Sequence, residues 1–163
     1  MQRRLSSPDA GFFLFLLHRD QALTMATTNV ERNKMIRRAV MQRPDEFLKV
    51  NIHLWEKLAA ELISLIGENG FQSLYVRSTH VTEMTYPWIV NDAPEKSSEK
   101  RFVELHNRLS EQEFEVASAA NILLLTTLVD IIALLVGDIL MTRILCSAWT
   151  NDALDIAGKE LQE

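Results

Sequence analysis

Residues 117 to 136, ASAANILLLTTLVDIIALLV, form a run of twenty residues in which Asp130 is the only charge. Such a run is either the central helix of a helical core or a membrane span, and the reading of the whole chain turns on which. A span takes about 20 mostly apolar residues, each Leu, Ile or Val contributing roughly 0.3 to 0.6 kcal/mol and a central Asp costing roughly 2.5 to 3.5 kcal/mol. Eleven such aliphatic residues lie between Ile122 and Val136, but Asn121, Thr126, Thr127 and Asp130 consume most of that gain. Sliding the window toward Met141 brings in a second carboxylate, Asp138. On a helix, Thr126, Thr127, Asp130, Asp138 and Thr142 fall within one half of the circumference. Leu124, Leu125, Leu128, Ile132, Leu135 and Ile139 lie largely elsewhere. A sided polar stripe favours a bundle helix, with a membrane-associated protein using residues 117 to 142 as the competing reading.

The chain has 163 residues, 47% hydrophobic and 24% charged, an ordinary size and balance for one domain with a proper core. Its formal charge of -5 disfavours nonspecific nucleic-acid binding, which needs clustered Lys and Arg to displace counterions. The basic residues Arg32, Lys34, Arg37, Arg38 and Arg43 concentrate near the start, where a solvated helix face accounts for them. Cys146 stands alone, so no intramolecular disulfide or CxxC site exists, and a reducing cytoplasm fits this.

Residues 1 to 24 look foreign to the rest. MQRR followed by FFLFLL imitates the basic and apolar parts of a signal peptide, but the apolar run is short and no Ala-x-Ala cleavage site follows. Met25 offers a second start, MATTNVERNK, so this stretch reads as a disordered tail or a mis-assigned start, with residues 25 to 163 as one all-α domain.

Residues 29 to 42 read as a basic helix. Pro44 then opens the clearest helix of the chain, from Asp45 to about Ile66, where Phe47, Leu54, Leu58, Leu62 and Leu65 centre an apolar arc opposite Lys49, His53, Glu56, Lys57 and Glu61. Gly67 and Gly70 mark a stop or kink before Phe71, Leu74, Tyr75 and Val81 resume the stripe. Trp88 to Lys100 reads as the main loop, residues 98 to 110 as an amphipathic helix, and Glu111 to about Trp149 as one long helix. Thr150 or Asn151 caps a short C-terminal helix. The expected fold is all-α, a helical bundle of at least four substantial helices.

A shift of 70 residues aligns Leu58, Leu65, Gly67 and Glu68 with Leu128, Leu135, Gly137 and Asp138. Phe71 and Gln72 likewise meet Met141 and Thr142. Two amphipathic helices share apolar register by chance, so the weight falls on the Gly-acid step. A true repeat implies two related helical hairpins about a pseudo-twofold axis. Glu68 and Asp138 then either line a shared polar site between the hairpins or bond Gln72 and Thr142 one turn on, beside tightly packed glycines. Arg77 and Arg143 are the expected partners of these acids, and with Asp130 they complete a candidate polar network.

His53 with Glu56 and His80 with Glu83 have a spacing that puts two ligand types on one helix face. The order reverses the Glu-x-x-His of di-iron bundles, and His53 falls on the polar arc, so surface histidines are expected and no metal. No Gly-x-Ser-x-Gly elbow, Cys-His pattern or phosphate loop occurs, and no catalytic residue or cofactor is assigned. Trp88 and Tyr75 are the candidate ligand or partner contacts. The resulting expectation is a non-catalytic cytoplasmic regulatory or protein-interaction module. Homodimerisation is expected from the apolar surplus between Val116 and Cys146. The alternative is a small-ligand sensor with an apolar interhelical pocket.

Overall fold

A computed structural model describes the backbone of residues 28 to 90 and 98 to 160, with side chains for 28 to 90 and 100 to 150. Helix α1 occupies residues 28 to 41. A single 3-10 turn, Pro44–Glu46, carries Pro in its first turn, where the missing N–H costs nothing, and leads directly into α2, Phe47–Glu83. Helices α3, Ser98–Ser110, α4, Phe114–Val136, and α5, Asp138–Glu160, complete the bundle. Among the described residues there is no strand. Residues 1 to 24, and with them the reading of that stretch, lie outside the described residues.

The expected long helix from Glu111 to Trp149 is two helices. Gly137, with φ 96° and ψ 151°, breaks it, and α5 then runs past Thr150 and Asn151 without a new cap. Gly67 interrupts α2 in the same way, with φ 80° and ψ 164°. Both conformations belong to a region that only glycine enters without strain. A Cβ at either position would meet nothing within 4 Å, so glycine is required there by the backbone and not by crowding. Gly70, by contrast, sits in ordinary helix.

The two breaks give the halves of the chain one plan. In each, a short helix (α1, α3) precedes a long one (the first part of α2, α4), a glycine elbow follows, and a further helix leaves it. The core is built from positions related by the 70-residue shift: Leu54, Trp55, Leu58 and Leu62 from α2 meet Leu124, Leu125, Leu128 and Ile132 from α4. All eight are buried. At about 25 cal/mol per Å² of apolar surface removed from water, burial along this seam stabilises the fold.

Helix α4 is long and apolar enough to cross a membrane, and 44% of its most apolar window is buried inside the bundle. That burial follows the expected stripe only in part: Leu124, Leu125, Leu128 and Ile132 face inward with Val129, and Thr126, Thr127 and Asp130 are half-exposed, but Leu135 and Ile139, expected on the apolar side, are exposed.

Candidate functional site

A polar layer crosses the apolar seam at its centre. Asn51 and Asn121 are both fully buried, and Asn121 Nδ2 donates to Asn51 Oδ1 at 2.6 Å. Trp55 Nε1 donates to Asn121 Oδ1 at 2.8 Å, and Asn51 Nδ2 donates to the carbonyls of Phe47 at 2.8 Å and Val40 at 3.2 Å. The cluster thereby ties α1, α2 and α4 together with its amide oxygens and donors engaged, as a buried polar group requires.

Two arginine latches flank this layer. Arg32 on α1 reaches across to the opposite elbow, pairing with Asp138 and, at 3.4 Å, with Asp130. Arg101 on α3 makes the reciprocal reach, pairing with Glu68 just after Gly67. By the 70-residue shift Glu68 is the counterpart of Asp138, but Arg32 is the counterpart of Phe102 and Arg101 that of Glu31, so the latches join equivalent elements through non-equivalent residues. Both guanidiniums are buried, with side-chain exposures of 2% and 3%, whereas Glu68 and Asp130 are each 42% exposed. Arg101 also stacks over the Phe71 ring at 4.8 Å, and its Nε and Nη1, like Nε of Arg32, have no hydrogen-bond partner among the described residues.

These contacts bring Glu68, Asp138 and Asp130 into two ion-pair clusters but leave out the expected arginines. Arg77 and Arg143 lie on exposed helix faces. The partners come from α1 and α3 instead, because the acids at the elbows point toward the short helix of the other half. The turn-to-turn bonds expected of the acids take another form: Thr142 Oγ1 donates to the backbone carbonyl of Asp138 at 2.8 Å, and Gln72 Oε1 is buried without a partner among the described residues.

Tyr75 is a core residue, edge-on to Trp55 and Phe102 at ring separations of 5.5 and 6.0 Å. Burial pushes its phenol well above the ordinary tyrosine value, with nearby Arg101 opposing and Glu104 reinforcing the shift. The space between Tyr75, Arg101 and Arg108 is about 20 Å³, enough for one water but not for an organic ligand. Trp88 packs against Tyr86 at 6.0 Å, and its carbonyl accepts from Arg108 Nη1 at 2.9 Å. Among the described residues, Tyr75 and Trp88 therefore do not edge a common ligand pocket. A larger opening of about 450 Å³, with Pro44, Phe47, Lys49, His106 and Phe114 in its walls, is an open groove.

His53 and His80 remain exposed beside Glu56 and Glu83, at 3.9 and 3.3 Å. Among the described residues, no three His, Cys, Asp or Glu side chains converge as a metal site would require.

The remaining feature of note is apolar. At the Gly137 elbow, Leu134, Leu135, Ile139 and Leu140 are 88%, 67%, 63% and 42% exposed. The corresponding positions at the Gly67 elbow are Ser64, Leu65, Asn69 and Gly70. The fold thus tolerates polar or small residues at three of these four places, so the aliphatic set is not demanded by the bundle itself. No protein-family model, curated protein or solved structure matches the chain.

Proposed function

We propose that this chain is a non-catalytic protein-interaction module of the cytoplasm, with a latched helical core that carries an apolar recognition surface at the Gly137 elbow. The observation that carries the reading is the exposure of Leu134, Leu135, Ile139 and Leu140 at a corner whose counterpart in the other half has polar or small residues at three of the four positions. Exposed apolar patches of this kind mark binding surfaces, because leaving them in water costs free energy that a partner recovers. The buried layer of Asn51, Trp55 and Asn121 and the Arg32 and Arg101 latches act as scaffold. They hold the two elbows in fixed orientation, which lowers the conformational cost of binding.

The test is a photo-crosslinking amino acid at position 134 of the full chain, activated in cells. An adduct to protein supports the interaction reading. Labelling confined to lipid, or no adduct at all, removes it.

A further inference from the structure

We infer that the partner seated on the Gly137 elbow is a second copy of this chain, joined about a twofold axis through Leu134, Leu135, Ile139 and Leu140. The inference rests on the interaction-module reading and names its partner. These four side chains expose roughly 500 Å² of apolar surface, at the upper end of the largest patch on an ordinary monomer and more than half of the roughly 800 Å² that each partner buries in a standard interface. An aliphatic centre of that size needs only a modest polar rim to make a stable contact.

The rim is what selects a copy of the same chain. Asp130 lies one helical turn before Leu134, and Arg143 one turn after Ile139, so each falls on the face of its apolar neighbour. Along the chain the rim of the elbow therefore reads acid, apolar, base, while Asp138, between Leu135 and Ile139, is neutralised by the buried Arg32. Arg143 is exposed and forms no ion pair among the described residues, while Asp130 shares Arg32 with Asp138 and keeps 42% of its side chain in solvent. A twofold axis through the apolar centre turns this order end for end. Asp130 of one copy then meets Arg143 of the other, twice, which is the self-complementarity a closed dimer requires. A lipid surface favours a uniformly basic rim, since its headgroups are anionic, whereas the charges of this elbow balance, Arg32 and Arg143 against Asp130 and Asp138.

The experiment is light scattering and sedimentation on the full chain without detergent, at several concentrations and at low salt. The expected mass is twice the 18.7 kDa of one chain. Leu134→Asp, at a position 88% exposed, is expected to give a monomer with unchanged helicity. Arg143→Glu is expected to weaken the dimer at least tenfold. A wild-type monomer at 100 μM, or a dimer indifferent to both Leu134→Asp and Arg143→Glu, overturns the inference. In that case the position-134 crosslink separates the two claims: an adduct to a different protein leaves the interaction module standing, and adducts to lipid alone remove both.

Discussion

Asn51 and Asn121, 70 residues apart in sequence and equivalent by the shift that relates the two halves, hydrogen-bond to one another at the buried centre of the bundle, Nδ2 to Oδ1 at 2.6 Å. The pair is not symmetric in its other bonds. Trp55 supplies an indole N–H to Asn121, whereas the position equivalent to Trp55 is Leu125, and Asn51 instead donates to the carbonyls of Phe47 and Val40.

The first prediction follows from that chemistry. Asn121→Leu strands the Trp55 N–H and the Asn51 oxygen in the core, and loss of about 2 to 4 kcal/mol is expected from two buried groups left unsatisfied. Adding Trp55→Phe to Asn121→Leu removes one of those stranded groups, so the double variant is expected to lose less than the sum of the singles. Urea denaturation of the four proteins in the cycle checks it, and strict additivity would contradict the network.

The second prediction concerns the elbows. Gly67→Ala and Gly137→Ala each force a side chain into backbone angles with positive φ, and each is expected to cost about 1 to 3 kcal/mol although neither Cβ would touch anything. Gly70→Ala, three residues from the first elbow, has the opposite sign. Its Cβ would meet only Ile66 at an ordinary 3.5 Å, and replacing glycine inside a helix is expected to stabilise by about 0.5 to 1 kcal/mol. Thermal melts that rank Gly70→Ala at or below wild type would contradict this reading of α2.

Much of this plan is legible in the sequence. Period and length reveal the helices, the stripe on α4 reveals its inward face as far as Ile132, and Gly67 reveals the first elbow. What misleads is local continuity: the apolar pattern runs unbroken through Gly137, so the residues around it read as one helix, even though the matching Gly67 marks a break. Gly70 looks equally disruptive because composition cannot distinguish a glycine with positive φ from one in regular helix. The latch partners are hidden for a different reason. Arg32 and Arg101 each belong to a short helix that packs on the other half, and nothing in the spacing of α1 or α3 announces a partner 106 or 33 residues away. A signal for the central polar layer was present, since Asn-Ile-x-Leu occurs at both 51–54 and 121–124.

A third prediction separates the two latches by burial. Removing the acid from a pair leaves a buried guanidinium, whereas removing the guanidinium leaves an acid that water can reach. Glu68→Gln is therefore expected to cost about 3 kcal/mol, and Arg101→Met, which keeps contact with Phe71, about 1 kcal/mol or less. Asp138→Asn is expected to cost less than Glu68→Gln, because Asp130 remains beside Arg32 at 3.4 Å. Chemical denaturation of the three variants tests the order, and Arg101→Met as the most damaging change would overturn the account.

The last prediction is a pH dependence with its sign set by Tyr75. Its phenol ordinarily titrates near 10.0, and burial in the Trp55, Phe71 and Phe102 cluster raises that value in the folded chain. The folded state therefore keeps its proton at a pH where the unfolded state gives it up. Stability from this group is complete below about pH 10 and falls as the pH climbs above it toward the folded value. Tyr75→Phe removes the titrating oxygen while preserving the ring, so the variant is expected to lose less stability than wild type between pH 9 and pH 11. Parallel melting curves over that interval, with the wild type falling more steeply, are the expected result, and equal slopes would show that Tyr75 contributes nothing to alkaline unfolding.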